Sequence, residues 1–147
     1  MRLVLQRVKR AEVRIDGAVV GSIGLGLVAL VGVERGDDES NARGACARIV
    51  ELRIFEDERG RMNRSLEEIG GSVLVVSQFT LAASLAKGRR PSLHTAADGD
   101  QAKSLYLELL DSLRRRLGEE RVAAGRFAAS MEVELVNAGP VTFVLEA

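Results

Sequence analysis

Ser77-Gln78-Phe79-Thr80 puts two hydroxyls, an amide and an aromatic ring in four consecutive positions. They follow directly on Val73-Leu74-Val75-Val76, an apolar run of the kind that forms a short strand buried on both faces. A polar cluster at the end of such a strand is held at the rim of a rigid sheet, where sites are commonly built. None of the four side chains is an ordinary acid or base, so the chemistry they suit is hydrogen bonding to a substrate or a water. The alternative is a strand that simply exits into a Ser/Thr turn. A second stretch, Asn137-Ala138-Gly139-Pro140-Val141-Thr142, pairs a glycine that permits close backbone approach with a proline that fixes its own φ and lacks an N–H donor. Its plain alternative is a turn joining two strands.

Other schemes are limited by what the chain contains. Cys46 is the only cysteine and His94 the only histidine among the 147 residues. An internal disulfide is therefore impossible, and a zinc site of His and Cys ligands is nearly so. The carboxylates show no compact ligand motif, so neither a metal nor any other cofactor is expected. A hydroxyl nucleophile such as Thr80 needs a neighbouring base, and His94 is the only histidine that could serve. The glycines at 21, 24 and 26 have the wrong order for a dinucleotide loop, and a strand rather than a helix follows them. Lys87-Gly88-Arg89-Arg90-Pro91 suits phosphate contact, although a solvated charged loop is equally ordinary. Basic and acidic residues balance at 21 each, so any nucleic-acid contact should be small and local.

The elements that must hold these stretches are legible in outline. Residues 2–8 and 12–15 read as strand, Asp16-Gly17 as a hairpin turn, and Val19, Val20 and Ile23 as the returning strand. Leu27-Val28-Ala29-Leu30-Val31 reads as a buried strand. Gly36-Asp37-Asp38-Glu39-Ser40 opens a helix whose apolar face carries Ala42, Ala45, Cys46, Ile49 and Leu52, and Leu52 to Phe55 follows as a short strand. Asp98 or Asp100 caps a second helix with Ala102, Leu105, Tyr106, Leu109, Leu110, Leu113 and Leu117 inward, and Gly118 stops it. Two closing strands flank a Gly139-Pro140 turn. Met131, Val133 and Leu135 alternate with polar residues in one, Val141, Phe143 and Leu145 in the other, which predicts one buried and one wet face. The expected fold is α+β: a single domain over residues 1–147 with a curved, mainly antiparallel, barrel-like sheet and two main helices. No apolar run of about 18 residues is present and the first residues are charged, so a soluble cytoplasmic protein is expected.

Ser77-Gln78-Phe79-Thr80-Leu81 together with Asn137-x-Gly139-Pro140-Val141-Thr142 resembles the D-aminoacyl-tRNA deacylases. Gln6-Arg7-Val8, Leu52-Arg53-Ile54-Phe55, Gly88-x-Arg90-Pro91-Ser92 and Gly125-Arg126-Phe127 support it, in family order along the whole chain. Ala138 stands where the family usually has Asp, and Ser84 and Ser130 where it often does. The resemblance implies a homodimer that hydrolyses the ester joining a D-amino acid to the 3′-terminal ribose of tRNA. Ser77, Gln78, Phe79 and Thr80 would carry the chemistry. Arg7, Ala102, Phe127, Met131, Gly139 and Pro140 would bind substrate, with Gly139-Pro140 in the cis form entering the partner's pocket to reject L substrates. Lys87, Arg89 and Arg90 would meet tRNA phosphates. An aminoacyl ester is already reactive, so backbone donors from Phe79 and Thr80 aimed at the tetrahedral oxyanion would suffice, each worth roughly 3–4 kcal/mol. Two rival readings remain on the residues alone: a tRNA 3′-end binding module without chemistry, and a small-ester serine or threonine hydrolase using His94.

Overall fold

The computed structural model describes residues 1–86 and 88–147. Its strands are β1 (Arg2–Ile15), β2 (Ala18–Ile23), β3 (Gly26–Gly32), β4 (Phe55–Glu56), β5 (Met62–Arg64), β6 (Ser72–Ser77), β7 (Val122–Ala124) and β8 (Glu132–Glu146). Helix α1 spans Glu39–Glu51 and α2 spans Gly99–Leu117. The main sheet runs β2-β1-β3-β6-β7, and β8 pairs with β1. Strand β1 is long enough to pair with β3 through its first half, with β2 through its second, and with β8 along both. Those three pairings are antiparallel, whereas β6 lies parallel to both β3 and β7. The sheet is therefore mixed, and it curls until β2 approaches β7: a Cβ at Gly21 would stand 2.9 Å from the Ala124 carbonyl oxygen.

Each face of the sheet has its own core. Leu3, Leu5, Leu27, Ala29, Val73 and Val75 pack against Ala45 and Ile49 of α1 and Leu105, Tyr106 and Leu109 of α2. Val8, Val13, Val28, Leu74 and Val76 fill the inside of the curl. Because Val73–Val76 alternate between these two cores, β6 is apolar at every position and is held from both sides. Cys46 lies in the helix-side core, where burial pushes its thiol pKa up, so it is a small packing residue.

Local signals settle the element ends. Asp16 and Gly17 take φ of 51° and 78°, as a two-residue hairpin with mirror-image turn geometry requires. Asp38 caps α1 by accepting the Ser40 N–H at 2.7 Å, and Asp98, not Asp100, caps α2 by accepting the Gln101 N–H at 2.9 Å. Two expectations are corrected. Leu52 is the extended cap of α1, and the strand after it begins only at Phe55, paired with Arg64. Gly139-Pro140 does not divide two strands: β8 is continuous through it, and its expected buried face is incomplete. Leu135 and Leu145 pack onto the cores, but Val133 and Phe143 of that face remain exposed; Val144, on the face expected to be wet, is 73% exposed. β8 pairs only with β1 among the described residues, which leaves its outer edge open.

Candidate active site

The C-terminal end of β6 delivers the polar cluster. After Ser77 the Gln78 N–H makes one further rung, donating to the Val31 carbonyl at 2.7 Å, and the chain then turns away in a 3-10 helix, Phe79–Ala82. This turn lies tightly on β3, because a Cβ at Gly32 would meet the Gln78 carbonyl oxygen at 2.9 Å. As the first residues of the turn, Phe79 and Thr80 have N–H groups without an intramolecular acceptor among the described residues. The Gln78 side-chain amide donates to the Thr80 hydroxyl, joining the two ends of the cluster.

Beside this corner opens a cavity of about 590 Å³, lined by Ser77, Gln78, Phe79, Ala102, Phe127 and Met131 among others. Val31, Val33 and Val76 supply apolar wall from the sheet, while Leu93, Ala96 and Ala97 come from the loop before α2. Tyr106 forms part of the lining and is 2% exposed; its hydroxyl donates to the Val75 carbonyl at 3.0 Å, and its ring centroid lies 5.8 Å from that of Phe127. Burial pushes the Tyr106 pKa up to about 12, so it stays neutral throughout the working pH range. Among the described residues the lining therefore offers shape, hydroxyl and amide groups and backbone donors, and no carboxylate, histidine or lysine.

His94 does not line this cavity, although its neighbours Leu93 and Ala96 do. Its Nδ1 lies 2.9 Å from the Ser92 hydroxyl, in a shallow cleft with Glu34, Arg35 and Asp37. A Ser77–His94 or Thr80–His94 couple is absent. Replacing His94 by alanine is expected to change the hydrolytic rate by less than about twofold, and the pH profile should lack an inflection near the ordinary histidine value of about 6.5. A tenfold loss with such an inflection would restore a histidine-based mechanism.

Arg7, Gly139 and Pro140 form a second assembly, away from the lining of this chain's own cavity. Asn137 pairs with Val8 and Thr142 with Gln6, so Ala138, Gly139, Pro140 and Val141 all stand opposite the single residue Arg7. The extra chain length bulges outward with Gly139 and Pro140 exposed, Gly139 at φ 127° and its bond to Pro140 cis. Arg7 is 7% exposed and each of its three guanidinium nitrogens makes a contact. Nε donates to the Ala138 carbonyl at 2.9 Å, Nη1 to the Ile54 carbonyl at 2.8 Å, and Nη2 meets the Glu56 carboxylate at 3.3 Å. It holds the base of the protrusion, and it stands beside Gly139 and Pro140 and not in the lining of this chain's own cavity. Arg89 and Arg90 are exposed in a loop whose neck is closed by reciprocal Ser84–Ser92 backbone bonds at 2.8 and 3.0 Å. Lys87 lies outside the described residues.

Residues 4–146 match the family model described as D-Tyr-tRNA(Tyr) deacylase. The chain belongs to that family. Membership makes it an enzyme, an ester hydrolase. Its relatives include a D-aminoacyl-tRNA deacylase of Syntrophotalea carbinolica, 56% identical over 99% of this chain and 97% of the relative. A D-aminoacyl-tRNA deacylase of Escherichia coli O1:K1 / APEC is 49% identical over 99% of both chains. A solved structure titled c-Myc DNA Unwinding Element Binding Protein superposes with a TM-score of 0.95 at 37% identity, covering 100% of this chain and 99% of that one. The deacylase family's sheet and two helices are thus reproduced throughout. Tyr106 and the wall residues Leu93, Ala96 and Ala97 have no signal in the sequence beyond helix periodicity and a loop, because only the fold brings them beside Ser77.

Proposed function

We propose that this chain hydrolyses the ester between a D-amino acid and the 3′-terminal ribose of tRNA, as a chiral proofreading enzyme of the cytoplasm acting as a homodimer. The observation that carries this reading is the corner at Ser77–Thr80: among the described residues the Phe79 and Thr80 N–H groups have no intramolecular acceptor, and the cavity beside them, which Phe79 lines and Thr80 does not, has no carboxylate, histidine or lysine in its lining. Such a site suits an ester that needs only charge stabilisation. Water adds to the ester carbonyl, the oxyanion is met by the Phe79 and Thr80 N–H groups, and the C–O bond to the ribose breaks as its oxygen regains a proton. Ser77 and Gln78 hold the amino acid or the water, and the vicinal ribose hydroxyl serves as proton relay. Ala102, Phe127 and Met131 embrace the terminal nucleoside.

The dimer reading is supported by surfaces that one chain leaves unfinished. Val133, Phe143 and Val144 are exposed along β8, and the strand's outer edge has no partner. Gly139-Pro140, projecting from the same strand, would enter the second subunit's cavity and present rigid backbone to the substrate α-carbon. A side chain in the L configuration would overlap it, whereas a D side chain or the hydrogen of glycine would not. Glycyl-tRNA should therefore be cleaved as well.

Thr80 acts in this scheme by position. Its hydroxyl accepts from Gln78 and has no base beside it, so Thr80→Ala should cost at most about tenfold, ~1.4 kcal/mol. Single-turnover release of amino acid measures this, and an acyl-Thr80 intermediate trapped on the protein would overturn it.

A further inference from the structure

Several arginines on the surface are held by carboxylates: Arg2 by Glu34 at 3.1 Å, Arg10 by Glu134 at 2.9 Å, and Arg116 by Glu51 and Glu67 at 2.7 and 3.2 Å. Two cations beside the cavity are not. Arg126 and Lys103 are exposed, and among the described residues neither has a carboxylate within 4 Å. Each is the immediate neighbour of a cavity residue, Lys103 following Ala102 on α2 and Arg126 preceding Phe127. Arg126 opens the turn that the Ala129 N–H closes onto its carbonyl at 3.2 Å, and Phe127, Ala128 and Ala129 of that turn all line the cavity. The turn and α2 meet through Tyr106 and Phe127, so the two cations come from two elements that wall one opening. Of the acids nearby on α2, Asp98 is occupied with the Gln101 N–H and Asp100 makes no ion pair with Lys103.

We infer that Arg126, assisted by Lys103, binds the phosphate linking the terminal nucleotide of the RNA to the rest of its strand. The inference rests on the proposed deacylase reading, in which the cavity holds the terminal nucleoside and its 5′ side must leave through the mouth. A guanidinium there meets a phosphate with two parallel N–H donors, independent of base identity. Arg89 and Arg90, carried on a separate loop, contact phosphates further along the acceptor strand.

The test compares D-tyrosyl esters on the 3′-hydroxyl of adenosine, of adenosine 5′-monophosphate and of tRNA. The native protein should prefer the monophosphate ester to the adenosine ester by about tenfold in kcat/KM. Arg126→Glu should abolish that preference and lower kcat/KM on tRNA by about tenfold or more, while leaving the adenosine ester within about twofold. Arg126→Gln, which adds no repulsion, should show the same loss of preference in weaker form. The Arg89→Glu, Arg90→Glu protein should weaken on tRNA alone and keep the native preference between the two small esters. A native protein indifferent to the 5′-phosphate, or an Arg126→Glu protein that retains the preference, would overturn the inference. Failure of the native protein to cleave any of the three esters would instead remove the deacylase reading, and this inference with it.

Discussion

Replacing Gly139 by alanine is expected to lower hydrolysis of D-aminoacyl-tRNA by about 100-fold or more while leaving the protein folded and dimeric. Gly139 sits at φ 127°, a conformation that residues with a Cβ rarely adopt. An added Cβ would stand 2.9 Å from Val141 Cγ2 and 3.0 Å from Arg7 Nη2, both inside ordinary contact distance. The protrusion must then shift, and Arg7, whose Nε holds the Ala138 carbonyl at 2.9 Å, must shift with it. With the protrusion facing the reacting carbon as proposed, a displacement of about 1 Å would be enough for a loss of that size. In the proposed dimer the same protrusion would set the chirality. Native protein should cleave D-alanyl- and glycyl-tRNA and spare L-alanyl-tRNA, measured side by side as single-turnover release. Full activity in Gly139→Ala, or equal cleavage of D- and L-alanyl esters, would remove the exclusion mechanism.

The second large effect concerns β8. Changing Phe143 and Val144 together to aspartate should give a folded monomer by sedimentation, with hydrolysis reduced by about 100-fold or more, because in the proposed dimer each cavity would then lack the Gly139-Pro140 wall of the other chain. Both side chains are already exposed in the isolated chain, so the change leaves its two cores intact. Mixed dimers sharpen the point. A Gly139→Ala subunit paired with one whose cavity is filled by Ala102→Trp should recover activity, since one of the two sites then combines a native cavity with a native protrusion. An aspartate variant that is monomeric and fully active would show that the site is complete within one chain.

The contrast between β6 and β8 shows where reading residues in order succeeds. The run Val73–Val76 ends abruptly in Ser77-Gln78-Phe79-Thr80, and that local switch announces both the buried strand and the cluster at its tip. The alternation of Val133, Leu135, Val141, Phe143 and Leu145 was equally plain, but a period of two does not say what covers the apolar side. Here it is only partly covered within the chain. Gly139-Pro140 looked like a turn because turn residues carry no information about cross-strand register. The four-residue bulge opposite Arg7 is a long-range fact, set by pairing with the first strand of the chain. The resemblance implies Arg7 as a substrate ligand; its bonds to Ile54 and Ala138 depend on contacts 47 and 131 residues away in sequence, which no local pattern shows. The mixed character of the sheet likewise follows from two helical crossovers, α1 between β3 and β6 and α2 between β6 and β7, which hydrophobic patterning leaves undirected.

The central claim is tested most directly by incubating the purified protein with D-Tyr-tRNA and L-Tyr-tRNA in parallel and following free tyrosine. Rapid release of D-tyrosine and an intact L-tyrosyl ester are expected. Binding of both tRNAs with neither ester broken, or hydrolysis of both at the same rate, would contradict it.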